Sequence, residues 1–144
     1  MSTNKELLEK ALSIAVNAHK GQVDKSGAPY IMHPVRVAGK CCTDEERIVA
    51  LLHDTIEDTE VTQDYLLHEG FPQNIVDAIL SVTKEEDESY DDFIKRCRVN
   101  PIGRQVKIHD LEDNMDITRL DCLKENDLVR LNKYLKAYQY LLSR

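Results

Sequence analysis

The four cysteines form no Cys-x-x-Cys pair: Cys41 and Cys42 are adjacent, while Cys97 and Cys122 stand alone. This spacing excludes a zinc knuckle and a disulfide framework. It predicts reduced thiols in a cytoplasmic protein, most of them acting as small apolar residues in or near the core. Long apolar runs are missing as well. The richest, Ile48 to Leu52, ends at His53, far short of the roughly 20 residues a membrane span needs. Met1 to Glu9 is polar and charged, without the basic-then-apolar layout of an export signal. Positive charge is the third scarcity: 19 Lys and Arg against 26 Asp and Glu leave a net charge of −7. An acidic chain of this kind argues against nucleic-acid and membrane partners, which need a basic face. A small phosphorylated ligand stays open, because a pocket's local field and its metal outweigh the total charge.

No repeat, low-complexity tract or linker divides the sequence, so residues 1–144 read as a single domain. Such a chain buries roughly two-thirds of its unfolded surface and needs no staples. No segment alternates with period two, whereas helical spacing recurs nearly throughout. Leu7, Leu8, Ala11, Leu12, Ala15 and Ala18 form one stripe with a stop at Gly21, and Gly27 and Pro29 mark a loop over 22–32. Pro34 suits a first helical turn and puts His33 at a helix entrance. Thr43 and Glu46 have capping-box spacing and open a helix to about Ile56. Further helices are expected from Thr62 to Glu69, from Pro72 to about Val82, from Ser89 through Arg98, and from Pro101 to Met115. A last one spans about Glu125 to Leu142, with a stripe of Leu128, Leu131, Leu135, Tyr138 and Leu142. The fold class is all-α, with about seven or eight helices. No pattern specifies an oligomeric state.

The stretch from Leu51 to Asp58 carries the chemistry. Four ionisable side chains, His53, Asp54, Glu57 and Asp58, arrive within six positions, directly after the apolar run. On a continuous helix, His53 and Glu57, and Asp54 and Asp58, form two neighbouring rows. Carboxylates placed there without partners cost several kcal/mol, and a bound cation removes that cost. Imidazole and carboxylate ligands suit Mn²⁺, Fe²⁺ or Zn²⁺. His33 and Asp110 are candidates to complete the set, and oxygen donors in the remaining positions favour six-coordinate Mn²⁺. Two His and two Asp also leave positions open for water and substrate oxygen.

His33, then His53-Asp54, then Asp110 resembles the spaced H…HD…D signature of HD-domain phosphohydrolases. More narrowly, Ala18-His19 to Gln22, Lys25-Ser26-Gly27-Ala28-Pro29-Tyr30 before His33-Pro34, His53 to Thr59, and Lys107-Ile108 to Asp110 with Asn114-Met115 resemble the hydrolase domain of RelA/SpoT-type enzymes. The resemblance covers roughly residues 5 to 120. It implies one Mn²⁺ held by His33, His53, Asp54 and Asp110, with Glu57 and Asp58 as the catalytic acidic pair. Lys25 and Ser26 then contact the nucleotide, and Asn114 lies near its sugar or base. The implied reaction removes the 3′-pyrophosphate of ppGpp and pppGpp. Asp24 stands where those enzymes commonly have arginine, which keeps another nucleotide in view as substrate. Binding without turnover is a third reading, against which the intact Glu57 and Asp58 speak. His109 and Asp113 also depart from the pattern. The resemblance implies a stand-alone small hydrolase, with no room for a synthetase or regulatory domain. His19, His68 and His109 are expected to be satisfied or exposed, although His109 stands beside a proposed ligand. Tyr134, Tyr138 and Tyr140 read as packing residues, and Glu85 to Glu88 as a solvated loop.

Overall fold

A computed structural model describes residues 2–144, and among them regular structure is helical apart from one isolated bridge between Val23 and Pro29. In order come α1 (Asn4–Ala18), α2 (Met32–Lys40), α3 (Asp44–Leu52), the single turn α4 (Thr55–Asp58), α5 (Gln63–His68), α6 (Gln73–Ser81), α7 (Tyr90–Val99), α8 (Pro101–Asn114) and α9 (Glu125–Leu142). A 3-10 turn, Ile117–Arg119, precedes the last helix. Setting aside the single turn, this is the expected all-α set of eight. Local chemistry places the starts. Thr3, Thr43, Thr62 and Ser89 each accept a backbone N–H three residues on, and Asn100 accepts two ahead of Pro101. Such caps stabilise a helix by about 1 kcal/mol each. No helix is long and apolar enough to cross a membrane.

α3 lies at the centre, packed against α1, α2, α6 and α8. Its residues Ile48 to Leu52 are buried one after another, as suits a helix enclosed on every side. The helix therefore acts as a fixed post, and its carboxyl end delivers His53 and Asp54. α8 passes α6 at Gly103, where a Cβ would stand 2.0 Å from Ser81 Oγ. Only a glycine lets α8, the carrier of Asp110, approach so closely.

Three local expectations are corrected. The helix from Thr43 does not run on to Ile56: it ends at Leu52 and restarts at Thr55. His53 Nδ1 donates to Ala50 O at 2.5 Å, and Thr55 Oγ1 to Leu52 O at 2.8 Å. Side chains thus occupy carbonyls that a continuing backbone would use, so the two straight rows of ionisable residues do not form. On α9 the buried residues are Ala137 and Leu141, with Tyr134 and Tyr138 packed against the core. Leu128, Leu135 and Leu142 are exposed, because the contact with α8 selects a face of small and aromatic residues. Glu88 is not solvated either. It forms a bidentate pair with Arg96, both contacts at 2.8 Å, and Arg96 also donates to Leu80 O in the last turn of α6 and to Thr83 O just beyond it.

Replacing Gly103 by Ala is expected to cost about 1–3 kcal/mol through overpacking. The loss, read from the denaturation midpoint, should shrink when Ser81→Ala is added. The Arg96 hydrogen bonds hold the Glu88 carboxyl down at about 2, against an ordinary 4.5. Its contribution is present above pH 4.5 and fades as the pH falls toward 2. Glu88→Gln should therefore lower the melting temperature at pH 7 and lose most of its effect near pH 2.

Candidate metal centre and adjoining cavity

His33 enters at the start of α2, His53 and Asp54 at the break between α3 and α4, and Asp110 from the middle of α8. His33 Nε2 lies 2.8 Å from Asp110 Oδ1, and His53 Nε2 lies 3.3 Å from the same oxygen. Asp54 Oδ2 stands 3.1 Å from His53 Nε2 and 3.8 Å from His33 Nε2. One ligand atom each from His33, His53 and Asp54 fits within 4.8 Å of the others. Both histidines and Asp110 are buried.

The outer nitrogens decide what the inner ones can do. Ala50 O can only accept, so the Nδ1 of His53 carries its hydrogen. The Nδ1 of His33 faces the Asp113 carboxylate at 2.6 Å, and Asp113 is held in turn by Arg36 at 2.8 Å. In the neutral state both Nε2 lone pairs therefore point at carboxylate oxygens, and four electron-rich atoms converge. Such a cluster needs a cation. Without one, the same carboxylates favour the protonated form of both rings. Against the burial that would lower it, the His33 pKa is raised by Asp110 and Asp113, and the His53 pKa by Asp54 and Asp110. A divalent ion satisfies the same donors and displaces those protons. Imidazole with carboxylate suits Mn²⁺, Fe²⁺ or Zn²⁺.

Asp54 supports this reading. It occupies the N-cap of α4, where a carboxylate ordinarily accepts a backbone N–H, yet it makes no capping bond. Its Oδ2 accepts from the Tyr30 hydroxyl instead. The outer oxygen of Asp110 is taken by Lys107 Nζ at 2.8 Å, and its inner one also accepts from Asn114 Nδ2 at 3.2 Å. Against burial, Lys107 and then His53 hold Asp110 well below the usual carboxylate range.

A cavity of about 390 Å³ opens beside the centre. His33, Tyr30, Lys25, Ser26 and Asn114 share its wall with Arg36, Arg119, Arg130 and Tyr134. Lys25 is pulled below its ordinary pKa by desolvation and then by Arg130, whereas Arg36 pairs with Asp113, Arg119 with Asp116 and Asp113, and Arg130 with Asp127. Ser26 Oγ donates to Asp24 at 2.8 Å, and the same Asp24 oxygen also accepts from Ser26 N and Ala28 N. Asp24 thus spends its carboxylate on folding the loop, whose turn requires Gly27 at φ +86°. Glu57 and Asp58 do not line this cavity. They stand on α4, with Glu57 Oε1 accepting from Lys84 N at 2.8 Å. Partial desolvation raises both carboxyls, with Asp54 adding to each and Asp58 also to Glu57. His109 pairs with Glu112 at 2.7 Å and not with a ligand.

The residues to which the sequence reading gives no role in the site are Tyr30, Arg36, Lys107, Asp113, Arg119 and Arg130, although Tyr30 and Lys107 stand within the matching motifs and Asp113 departs from them. Asp113 and Lys107 had a detectable signal, since each sits three positions from Asp110 on one helix and faces the same way. Arg36 lies one turn beyond His33. Arg119 and Arg130 come from a 3-10 turn and a surface helix, and no local pattern marks them.

The fold and site together define an all-helical domain with a His, His-Asp metal-binding centre. The HD domain family matches residues 11–91, more than half of the chain. The chain belongs to that family. A guanosine-3′,5′-bis(diphosphate) 3′-pyrophosphohydrolase of Aquifex aeolicus is 34% identical over 122 residues, which are 76% of this chain and 17% of that protein. A GTP pyrophosphokinase of Myxococcus xanthus is 42% identical over 83 residues, 55% of this chain and 11% of that protein. The chain thus spans about a sixth or less of the length of these relatives. Among solved structures, a metazoan ortholog of SpoT, described as hydrolyzing ppGpp, superposes with a TM-score of 0.78 at 18% identity. That match covers 99% of this chain and 89% of the other, and it establishes the likeness of fold.

Removing Asp113 frees the His33 ring and strands Arg36. Asp113→Ala should weaken binding of added Mn²⁺ by about 10–100-fold, read by calorimetry on metal-stripped protein. Binding in the unaltered protein should release protons, read by comparing buffers of different ionisation heat.

Proposed function

We propose that this protein is a Mn²⁺-dependent hydrolase of guanosine alarmones, cutting the 3′-pyrophosphate of ppGpp or pppGpp to give GDP or GTP and pyrophosphate. The observation that carries the proposal is a cavity lined by Lys25, Arg36, Arg119 and Arg130 that reaches the His33, His53, Asp54 and Asp110 cluster through His33, which stands in its wall. Its volume lies in the range of small-ligand sites. The relatives support the choice of nucleotide.

His33, His53, Asp54 and Asp110 hold the ion, which when bound supplies a Lewis acid that polarises water and a phosphoryl oxygen. Lys25, Arg119 and Arg130 take the phosphates, and Tyr134 offers a flat face to the base or sugar. Asn114 spends its amide N–H on Asp110 and keeps its carbonyl oxygen for the sugar. Glu57 and Asp58 orient the attacking water and move its proton. The raised carboxyl pKa values bring both closer to neutral pH, where such transfer is efficient. Water oxygen bonds to the phosphorus as its bond to the ribose 3′ oxygen breaks, and that oxygen leaves with a proton. Asp24, which replaces a cation, is occupied within its own loop and adds little repulsion.

The test is pyrophosphate release from ppGpp by metal-stripped protein, with and without Mn²⁺. Release should require the ion and vanish in Asp54→Ala. Glu57→Gln and Asp58→Asn should lower kcat by about 10²–10⁴ while nucleotide affinity holds. If Mn²⁺ binds and ppGpp stays intact, the alarmone assignment is wrong, and another nucleotide or binding without turnover replaces it.

A further inference from the structure

Glu57 stands at the end of a chain of hydrogen bonds that begins on α7. Arg96, partly buried there, turns its guanidinium on the segment that joins α6 to α7. Its Nη1 donates to Leu80 O at 2.8 Å, and its Nη2 to Thr83 O at 2.7 Å and Glu88 Oε1 at 2.8 Å. That Glu88 oxygen accepts in turn from Glu85 N at 3.1 Å, so the loop is gripped on both sides of Lys84. The carbonyl of Thr83 and the N–H of Lys84 belong to one peptide unit, and none of the described peptide bonds is cis. In a trans unit the two groups point in opposite directions. Arg96 on the oxygen therefore fixes where the N–H points, and that N–H donates to Glu57 Oε1 at 2.8 Å.

Among the described residues no other hydrogen bond or ion pair reaches the Glu57 carboxylate. One backbone N–H thus sets its direction. The contacts of Arg96 with Leu80 O and Glu88 already tie the loop to α6 and α7. The remaining one falls on the single peptide that serves Glu57, and a positive charge on its oxygen also polarises the unit and strengthens its N–H as a donor. We propose that Arg96 is a positioning residue for Glu57: acting through the Thr83–Lys84 peptide, it holds one carboxylate oxygen and leaves the other for the attacking water. This rests on the reading of Glu57 as part of a hydrolytic pair.

Amide hydrogen exchange in the full chain tests the link without any turnover. The Lys84 N–H should be protected, and Glu57→Ala and Arg96→Ala should each speed its exchange about 10-fold or more. Arg98→Ala, on the same helix but bonded to Ser143 O, should not. In ppGpp turnover with Mn²⁺, Arg96→Ala should lower kcat about 10–100-fold with KM and Mn²⁺ affinity unchanged, and Arg98→Ala should leave kcat as it was. Arg96→Lys, with one nitrogen where arginine has three, should lose rate as well and serves if Arg96→Ala does not fold. The loss should vanish in a Glu57→Gln background, because a residue acting through Glu57 then has nothing left to position. A wild-type kcat in the folded Arg96 variants overturns the proposal. So does a loss that persists undiminished beside Glu57→Gln, or a Lys84 exchange rate indifferent to Arg96. If the unaltered protein leaves ppGpp intact, or Glu57→Gln turns it over normally, the functional reading fails while the Lys84 exchange still decides whether Arg96 holds Glu57.

Discussion

Converging lone pairs from His33 and His53 meet the carboxylates of Asp54 and Asp110 in a space largely closed to water, and that convergence governs what surrounds it. Negative charge enclosed there is costly unless a cation joins it. The protein supplies part of the compensation at the rim: Lys107 on the outer oxygen of Asp110, the Tyr30 hydroxyl on Asp54, and Arg36 on Asp113. None of these replaces a cation at the centre: Lys107 and Arg36 serve oxygens turned away from it, and the Tyr30 hydroxyl, though it reaches the inner oxygen of Asp54, is neutral. The outer hydrogen bonds of the imidazoles also keep their metal-binding nitrogens turned inward. The buried half of α3 is the counterpart of this arrangement. The charged first turn of the helix, Asp44 to Arg47, lies away from the centre, and its apolar part, Ile48 to Leu52, gives the buried charges a rigid base.

Two carriers of the centre were plain in the sequence, and the reason is local. His53-Asp54 follows an apolar run at once, and a Glu-Asp pair comes directly after, so the oddity lies within eight residues. The helix starts were equally plain, because Thr43, Thr62, Ser89 and Asn100 cap their helices through bonds to near neighbours. The break after Leu52 was not legible. It depends on the His53 and Thr55 side chains choosing backbone carbonyls over solvent, and a period-counting reading treats them as ordinary helical residues. The face of α9 failed for another reason. Leucines outnumber the residues that pack, and contact with α8 selects Ala137 and Leu141 with two tyrosines. Periodicity reports which faces could be buried, whereas the partner helix decides which one is.

Lys25, Arg119 and Arg130 meet around one cavity in a chain whose net charge is −7. The total is therefore a poor guide to the local field, which falls off over about 10 Å at ordinary ionic strength. Neighbouring acids are also partly withdrawn. Asp113 is bound by Arg36 and His33, and Asp24 accepts three hydrogen bonds inside its own loop. Asp116, the third acid of the wall, pairs with Arg119 at 3.2 Å, so Lys25, Arg36, Arg119 and Arg130 face the opening beside acids that already have partners.

The partners of the centre come from distant parts of the chain. His33 reaches Asp110 across 77 positions and Asp113 across 80, and His53 reaches Asp110 across 57. None of these contacts survives in an unfolded chain, so an ion held by the four side chains binds the folded state almost alone. Its binding free energy then adds to folding stability. The same reasoning explains why α8 needs a glycine at its crossing with α6. A shift of α8 by a fraction of an ångström would carry Asp110 and Asp113 away from His33 together, since both are fixed to one helix. Close packing two turns earlier therefore sets the position of one proposed ligand and, through Asp113, the orientation of another. The precision of the centre is inherited from the core, and its charge is what the core alone cannot satisfy.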